Sequence, residues 1–581
     1  MELKTWLKAF EMHSQIRKSG KLLRILKIIF LGFLLFVAGF IAYYSLVVPI
    51  SPPEIESPEA TLILQRENPA EDYYTIGNNW LRKNDNGLWE MYVEGAPFEI
   101  GVISGKLSKE LILIQEEAFV EQINELIPSK FYLRFLKYLI GWFNRDLDKH
   151  IIDEYKEEIY GISLSASSEF NYVSDNYERM LNYHAAHDIG HALKDLALVG
   201  CTSFAVNLNG DDSKLLIGRN FDFFVNEKFA ENKIVSFVNP SSGYKFMYVT
   251  WASMIGVVSG MNEHGLTVTI NAAKSDIPTK SATPISILAR EILQYAKSFE
   301  EAKAIAENRK VFVSESILIG SANDQTAMII EKSPNEIGFF SPGTEYLVCS
   351  NHFQSNVYKT DENNLVNIES SASKYREERC TQLIQERDSL DYQEVAAILR
   401  DHKGLNNANI GIGNEKAMAQ MISHHSVIFQ PEKLMVWVST DPYQLGNYIA
   451  YDLKKIFSEE SRIDSLGNLN QIDLTIPPDP FLDTREYLAY LRYKELEKRI
   501  VVHTGLRNRL DGEDKIIDEM ILSNPEYFKP YMIAGEYYFS FNEMAKAKIF
   551  FNIALSKELE NTAEKQLMNK KLKHIEKQDH N

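Results

Sequence analysis

Twenty-three consecutive residues without a charge, Ile28 to Ile50 (IIFLGFLLFVAGFIAYYSLVVPI), constrain this chain more than any other feature. At about 1.5 Å per residue, a helix of that length spans the ~30 Å hydrocarbon core of a bilayer. A cleaved signal would carry a shorter apolar run and a small-x-small cut site. Tyr43 and Tyr44 stand where that site would fall, so the run reads as an uncleaved single-pass anchor. Lys4, Lys8, Arg17, Lys18, Lys21, Arg24 and Lys27 precede it against only Glu2 and Glu11. The positive-inside rule then keeps residues 1–27 cytoplasmic as a basic tail and puts everything after Pro52 outside, in the periplasm if the cell is bacterial.

The rest must fold under different rules. The whole chain's 581 residues, 45% of them hydrophobic, suffice for two or three domains and a large core without disulfide help. The balance of 62 Lys and Arg against 80 Asp and Glu, net −18, argues against nucleic acid as a partner, because phosphate attraction needs a basic face. Cys201, Cys349 and Cys380 are too sparse for a disulfide framework or a Cys-rich zinc site, and their odd number leaves at least one free thiol.

Residues 51–85, opening with SPPEIESPEA, read as a proline-rich acidic stem. Residues 86–200 read mostly as helix, with apolar residues at three and four spacing in LSKELILIQEEAFVEQINELI and LDKHIIDEYKEEIYGISL. At Cys201 the pattern turns to short strands that continue to about residue 455, interrupted by helices after Thr283-Pro284 and over YQEVAAILRDH. Strands, two helices and strands again predict an α+β domain with helices covering antiparallel sheets. A linker over 456–480 leads to an all-helical tail, 481–581. There Tyr531, Ala534, Gly535, Tyr538, Ala547, Phe551 and Ala554 fall at the spacing of one tetratricopeptide-like helix pair. Such units need about three copies to stand alone, so this one is expected to pack on neighbouring helices or on the catalytic domain. It is either a docking surface for a protein partner or a structural appendage whose removal leaves the chemistry intact.

The abrupt change from helix to strand at Gly200-Cys201 suggests a cut site. A Cys that becomes a new N-terminus carries both a thiol nucleophile and an α-amine of pKa about 7.7 to 8.0, a usable base near neutrality. An isolated Cys at a strand start is more commonly a buried small hydrophobe. What raises it is an ordered set: GCTSF at 200–204, GRNFDF at 218–223, GMNEHGLTVTINAA at 260–273, TPISILAREIL at 283–293, SNHF at 350–353 and SSASKYREER at 370–379. Over roughly residues 90 to 455 the chain resembles the N-terminal nucleophile (Ntn) hydrolases, in the branch of acyl-CoA:6-aminopenicillanic acid acyltransferase, with choloylglycine hydrolase and acid ceramidase as more distant cousins.

The resemblance implies a four-layer αββα sandwich and a precursor that cuts itself before Cys201 into α and β chains that stay associated. It implies Cys201 as nucleophile, Asp222 orienting its amine, Arg219 beside the thiol, and Asn271 and Asn351 as amide groups near the reacting carbonyl. These roles fit independent physics: a guanidinium favours thiolate, and an Asn NH2 can donate to a developing oxyanion. The competing reading of Arg219 and Asp222 is an ordinary i, i+3 ion pair on a strand edge, and that of the two asparagines is a turn role. Which of Lys374, Arg376 and Arg379 faces the site is left open. His184, His187 and His191 share a helical face and are open between metal binding, a role beside the Cys201 junction and a polar surface; the set is not HExxH, because Asp188 holds the glutamate place. His424 and His425 read as strand-start residues. No cofactor and no metal are expected.

The function expected is an amidohydrolase or acyltransferase working on an N-acylated small molecule or lipid-like amide through a thioester on Cys201. Acyl-CoA-dependent transfer is the nearer alternative, disfavoured because the site would face away from the cytoplasm. A non-catalytic envelope scaffold using the helical tail is the more distant one. A third is a self-processing zymogen whose output is release of the β chain.

Overall fold

Alternation along the strands between Thr202 and Asp452 dictates two packing faces, and the computed structural model shows both of them occupied. It describes residues 27–40, 42–44, 46–126, 138–193, 200–207, 215–223, 227–274, 278, 280–458 and 469–579. The protein is α+β. Among the described residues an eleven-stranded sheet runs in chain order from Glu67–Ala70 to Ile337–Phe340, and a six-stranded sheet has the order Tyr346–Cys349, Thr202–Val206, Leu216–Asp222, Ser423–Gln430, Met435–Ser439, Tyr448–Asp452. Neighbours pair antiparallel except Trp89–Gly95 with Ile234–Pro240, which are parallel from Trp89↔Ile234 to Gly95↔Pro240.

Three apolar clusters show where the faces go. One joins Val235, Phe237, Met247, Leu318 and Ile329 of the large sheet to Ala205, Ile217, Val427, Phe429 and Val436 of the small one. A second packs helices Pro97–Leu107, Asp153–Ser163 and Ile285–Tyr295 on the large sheet. A third packs helices Ser373–Gln385 and Tyr392–Leu399 on the small sheet. Sequence reading gave residues 51–85 to a stem and 86–200 mostly to helix, whereas four strands fill 67–95 and enter the large sheet. Trp89–Gly95 is buried along most of its length on both faces, so it lacks the alternation that marks a half-exposed strand.

Two of the motifs prove largely architectural. Within GMNEHG, the Asn262 amide NH2 donates to Leu293 and Ala296 O at 2.9 and 2.7 Å, while its oxygen accepts from His264 N and Leu266 N at 3.0 Å each. The helix of TPISILAREIL begins at Ile285, whose N–H donates to Asp188 Oδ2 at 2.8 Å.

Residues Lys27–Tyr44 form a helix with mean hydropathy 2.0, none of it buried, long and apolar enough to cross a membrane by length and composition. A Cβ on Gly535 would meet Phe551 at 2.6 Å, which is why the helices Phe528–Ser540 and Met544–Leu555 carry small residues where they touch. The tail they belong to is more than an appendage. It grips the segment 411–421: Asn524 exchanges hydrogen bonds with Ile412 N and O at 3.1 and 2.8 Å, Glu560 accepts from Glu415 N at 3.0 Å, and Lys416 pairs with Glu558 at 2.5 Å. Ala419, Met421 and Leu445 are buried in the tail's own core. Ending the chain at residue 480 is therefore expected to cost about 3 to 6 kcal/mol by uncovering those side chains. Thermal melting of the two lengths checks this, and equal midpoints would return the tail to the status of an appendage.

Candidate functional site

Strand periodicity places the reactive groups. Along Leu216–Asp222, Ile217, Arg219 and Phe221 face the large sheet, while Leu216, Asn220 and Asp222 face the covering helices. Arg219 and Asp222, three apart in a strand, thus lie on opposite faces and make separate sets of bonds, which removes the ion-pair reading. Arg219 donates from Nη1 to Val258 O at 2.7 Å and to Ser259 Oγ, and from Nη2 to Ile270 O at 2.5 Å and to Cys201 Sγ at 3.8 Å. Its guanidinium carbon lies 4.4 Å from the centre of the Phe221 ring.

Cys201 precedes the strand Thr202–Val206, whose Thr202 and Ser203 stand opposite Asn220 and Arg219. Only 1% of the residue is exposed, and its thiol points at Asp222 O, 3.8 Å away. Burial pushes the thiol up to about 11, with Arg219 pulling it the other way. Arg219 thus favours the thiolate, as its place beside the thiol implies, but in the uncut chain desolvation outweighs the guanidinium. The Asp222 carboxyl accepts from Ser423 Oγ and from Gln420 Nε2 at 3.1 Å. Burial pushes it up to about 7 against the opposing pull of the Ser423 hydroxyl, Arg376 and Arg219.

Both asparagines lie at this end of the small sheet. Asn271, from the large sheet, accepts from Ser203 Oγ at 3.0 Å and donates to Cys349 O at 3.0 Å. Asn351 donates to Ala272 O at 2.8 Å and accepts from Arg376 Nη2 at 2.5 Å. Arg376 Nε also reaches Thr202 Oγ1 at 3.1 Å and Nη1 reaches Glu415 O at 2.8 Å. Arg376 is thus the basic residue that faces the site. Arg379 forks onto Asp401 at 2.9 Å through both nitrogens, and Lys374 pairs with Glu377 at 2.8 Å.

Around this set stand residues the sequence reading missed: Gln420, Ser423 and Ser373, the last accepting from Asn351 N at 2.7 Å. Ser373 sits in the SSASKYREER motif without having been singled out, whereas Gln420 and Ser423 lie outside every motif, and only the fold brings Gln420 beside Gly200. His425 is more than a strand-start residue. Its Nε2 meets Ser259 Oγ at 2.8 Å, the same hydroxyl that Arg219 touches, and its Nδ1 meets His424 Nδ1 at 2.8 Å. His184 hydrogen bonds to Met180 O at 2.8 Å and accepts from Ile255 N at 3.0 Å; burial holds it down near 4, so it is a neutral architectural residue. The side chains of His187 and His191 lie outside the described residues. Among the described residues no cluster of His, Cys, Asp and Glu has the geometry of a metal site, and all three cysteines are free.

Residues 208–442 match the family model for acyl-coenzyme A:6-aminopenicillanic acid acyl-transferase. The match takes in Arg219, Asp222, Asn271, Asn351, Arg376 and Gln420 and begins after Cys201. Protein dcd1B of Dictyostelium discoideum is 24% identical over 282 residues, 45% of this chain and 54% of that protein. The N-acylethanolamine-hydrolyzing acid amidase of Caenorhabditis elegans is 22% identical over 224 residues, 37% of this chain and 59% of that one. A solved structure of the Caenorhabditis elegans acid amidase ortholog aligns with TM-score 0.29 and 17% identity over 40% of this chain and 93% of that one. The chain spans about half the length of the curated relatives it matches, between 41% and 59%. Over the matched segment it is similar to the amidases and acyltransferases of the Ntn class.

Proposed function

We propose that this chain is a membrane-anchored, self-processing N-terminal cysteine amidohydrolase or acyltransferase, built on an αββα sandwich and acting on N-acyl amides through a thioester on Cys201. The observation that carries the reading is the Arg219 guanidinium 3.8 Å from the Cys201 thiol, which also points at the main-chain oxygen of Asp222 at 3.8 Å. Three apolar clusters in the order helix on sheet, sheet on sheet, sheet on helix support the sandwich.

In this reading cleavage frees the Cys201 α-amine, which then takes the thiol proton as Sγ attacks the substrate carbonyl. Asp222 orients the amine, and Arg219 holds negative charge on sulfur. Asn271 and Asn351 each have a second amide hydrogen beyond the one given to a backbone carbonyl, and those hydrogens serve the oxyanion. Arg376 fixes the Asn351 amide so that its NH2 cannot rotate away. The amine of the substrate leaves, and water or a second amine takes the acyl group from sulfur.

The basic residues before Ile28 support an enzyme held outside the cytoplasm on one helix, which makes lipid-like acyl amides the substrate class to try first. The Caenorhabditis elegans relative, an N-acylethanolamine-hydrolyzing acid amidase, supports the same choice. Intact-mass analysis of purified protein is expected to show fragments of about 200 and 380 residues. A panel of N-acyl amides, with and without an added amine acceptor, is expected to leave an acyl adduct on the larger fragment. A single uncut chain with no turnover across the panel would refute the proposal.

A further inference from the structure

The peptide bond to be broken already has a donor on its carbonyl. Gln420 Nε2 lies 2.5 Å from Gly200 O and 3.1 Å from Asp222 Oδ2. Both partners are acceptors, so the amide orientation is fixed: NH2 must face them. Gln420 is buried, and it belongs to the segment that the helical tail grips at Ile412, Glu415 and Lys416. Its side chain is thus held on the bond before Cys201 by contacts on both sides. Gly200 is fixed in turn, since its N–H donates to Asp222 O at 3.0 Å.

We infer that Gln420 is a catalytic residue of self-cleavage, its amide NH2 serving as the oxyanion donor when Cys201 attacks Gly200. The inference rests on the proposed cut before Cys201 and adds a residue to it. Cys201 Sγ bonds to the Gly200 carbonyl carbon, closing a five-membered ring, and the carbonyl electron pair moves to oxygen, where Gln420 already points. The bond from that carbon to Cys201 N then breaks, and the nitrogen takes the proton given up by the thiol. Water adds to the resulting thioester, the carbon–sulfur bond breaks, and Gly200 carboxylate and the free thiol remain. A donor in place before charge develops loses nothing to reorganisation, and one such donor is typically worth about 10² to 10³ in rate.

The same geometry explains why residue 200 is glycine. A Cβ there would meet Gln420 Oε1 at 2.1 Å and its amide carbon at 2.8 Å, so any side chain pushes the donor off the carbonyl. Gly200→Ala and Gln420→Met should therefore act through one contact.

The test is the rate of fragment appearance in the full-length chain, followed by denaturing gel and intact mass, for wild type, Q420M, G200A and the double variant. Q420M is close to isosteric and lacks the donor; it should slow cleavage about 10²-fold. G200A should slow it comparably, and the double variant should be far less than multiplicative, as for two changes at one contact. Turnover per cut molecule should fall at least tenfold less than cleavage does, because the Gly200 carbonyl has left the donor by then. If wild type itself is never cut, the underlying processing reading fails. If wild type is cut and Q420M follows within threefold, the role of Gln420 is overturned. Equal losses in cleavage and turnover, or multiplicative effects in the double variant, also overturn it by making Gln420 a support for Asp222 alone. Should Q420M not fold, G200A leaves the buried Gln420 in place and carries the comparison.

Discussion

Cys201→Ala should leave one 581-residue chain where wild type yields two, and amidase turnover should fall to background. The size of the loss follows from chemistry: without sulfur there is neither a nucleophile for the Gly200 carbonyl nor a thioester for the substrate. Folding should change little, by about 1 kcal/mol, because Ala fills most of the same buried volume and Arg219 keeps its bonds to Val258, Ser259 and Ile270. Thermal melting beside the gel separates the two effects. Cleavage of the Ala variant at the wild-type position would mean another protease makes the cut, and turnover by it would remove the thioester.

Asp222→Asn should nearly abolish cleavage, by roughly 10³-fold, while sparing the fold. Asn can still accept from Ser423, but its NH2 then faces the NH2 of Gln420, two donors where a donor met an acceptor. Stability should move the other way with pH. The folded pKa of Asp222 is raised, from 3.8 to about 7, so its contribution to wild type is fully present below 3.8 and lost as pH rises through about 7. Asn does not titrate, so across that window the variant should gain on wild type by about 4 kcal/mol. Denaturant melts at pH 5 and pH 8 span about 2.6 kcal/mol of that difference, since part of it is already lost between 3.8 and 5. A gap between the two proteins that does not change with pH would mean Asp222 is not a buried carboxyl of raised pKa, and normal cleavage by the variant would take the charge out of the mechanism.

The legible part of the site is the part in which reactive residues stand next to strand signals. Cys201, Arg219 and Asp222 lie in two adjacent strands of the small sheet, and the short motifs around them carry both the fold and the chemistry. Asn271 and Asn351 were legible as strand-end amides, since each follows a run of apolar strand residues. Gln420 and Ser423 were not, because what matters about them is contact with residues some two hundred positions away. Choosing among Lys374, Arg376 and Arg379 needed the helix Ser373–Gln385 to be docked, as the sequence gives the helix but not its rotation on the small sheet. The strands over 67–95 were missed for a local reason: ENPA and YYTI are short, and the hairpin signals at Gly77, with φ +57°, and at Asn86-Gly87, with φ +85° at the glycine, were not read. The tail's role was hidden too, because residues 411–421 have no regular pattern and gain meaning from Asn524, Glu558 and Glu560.

The parallel pairing of Trp89–Gly95 with Ile234–Pro240 bears on the outcome of the proposed cut before Cys201. One strand of that pair belongs to the piece that carries the apolar helix Lys27–Tyr44, the other to the piece that carries Cys201, and they meet in the middle of the large sheet. In the proposed reading, the tether between membrane and nucleophile would from then on no longer be covalent. It runs through a ladder of backbone hydrogen bonds with apolar packing on both sides. Shedding the mature catalytic piece would mean tearing a sheet down its centre, which is global unfolding by another name. The enzyme is therefore expected to leave the membrane only by losing its structure, and detergent, not a change of salt, is what should bring the two fragments off together.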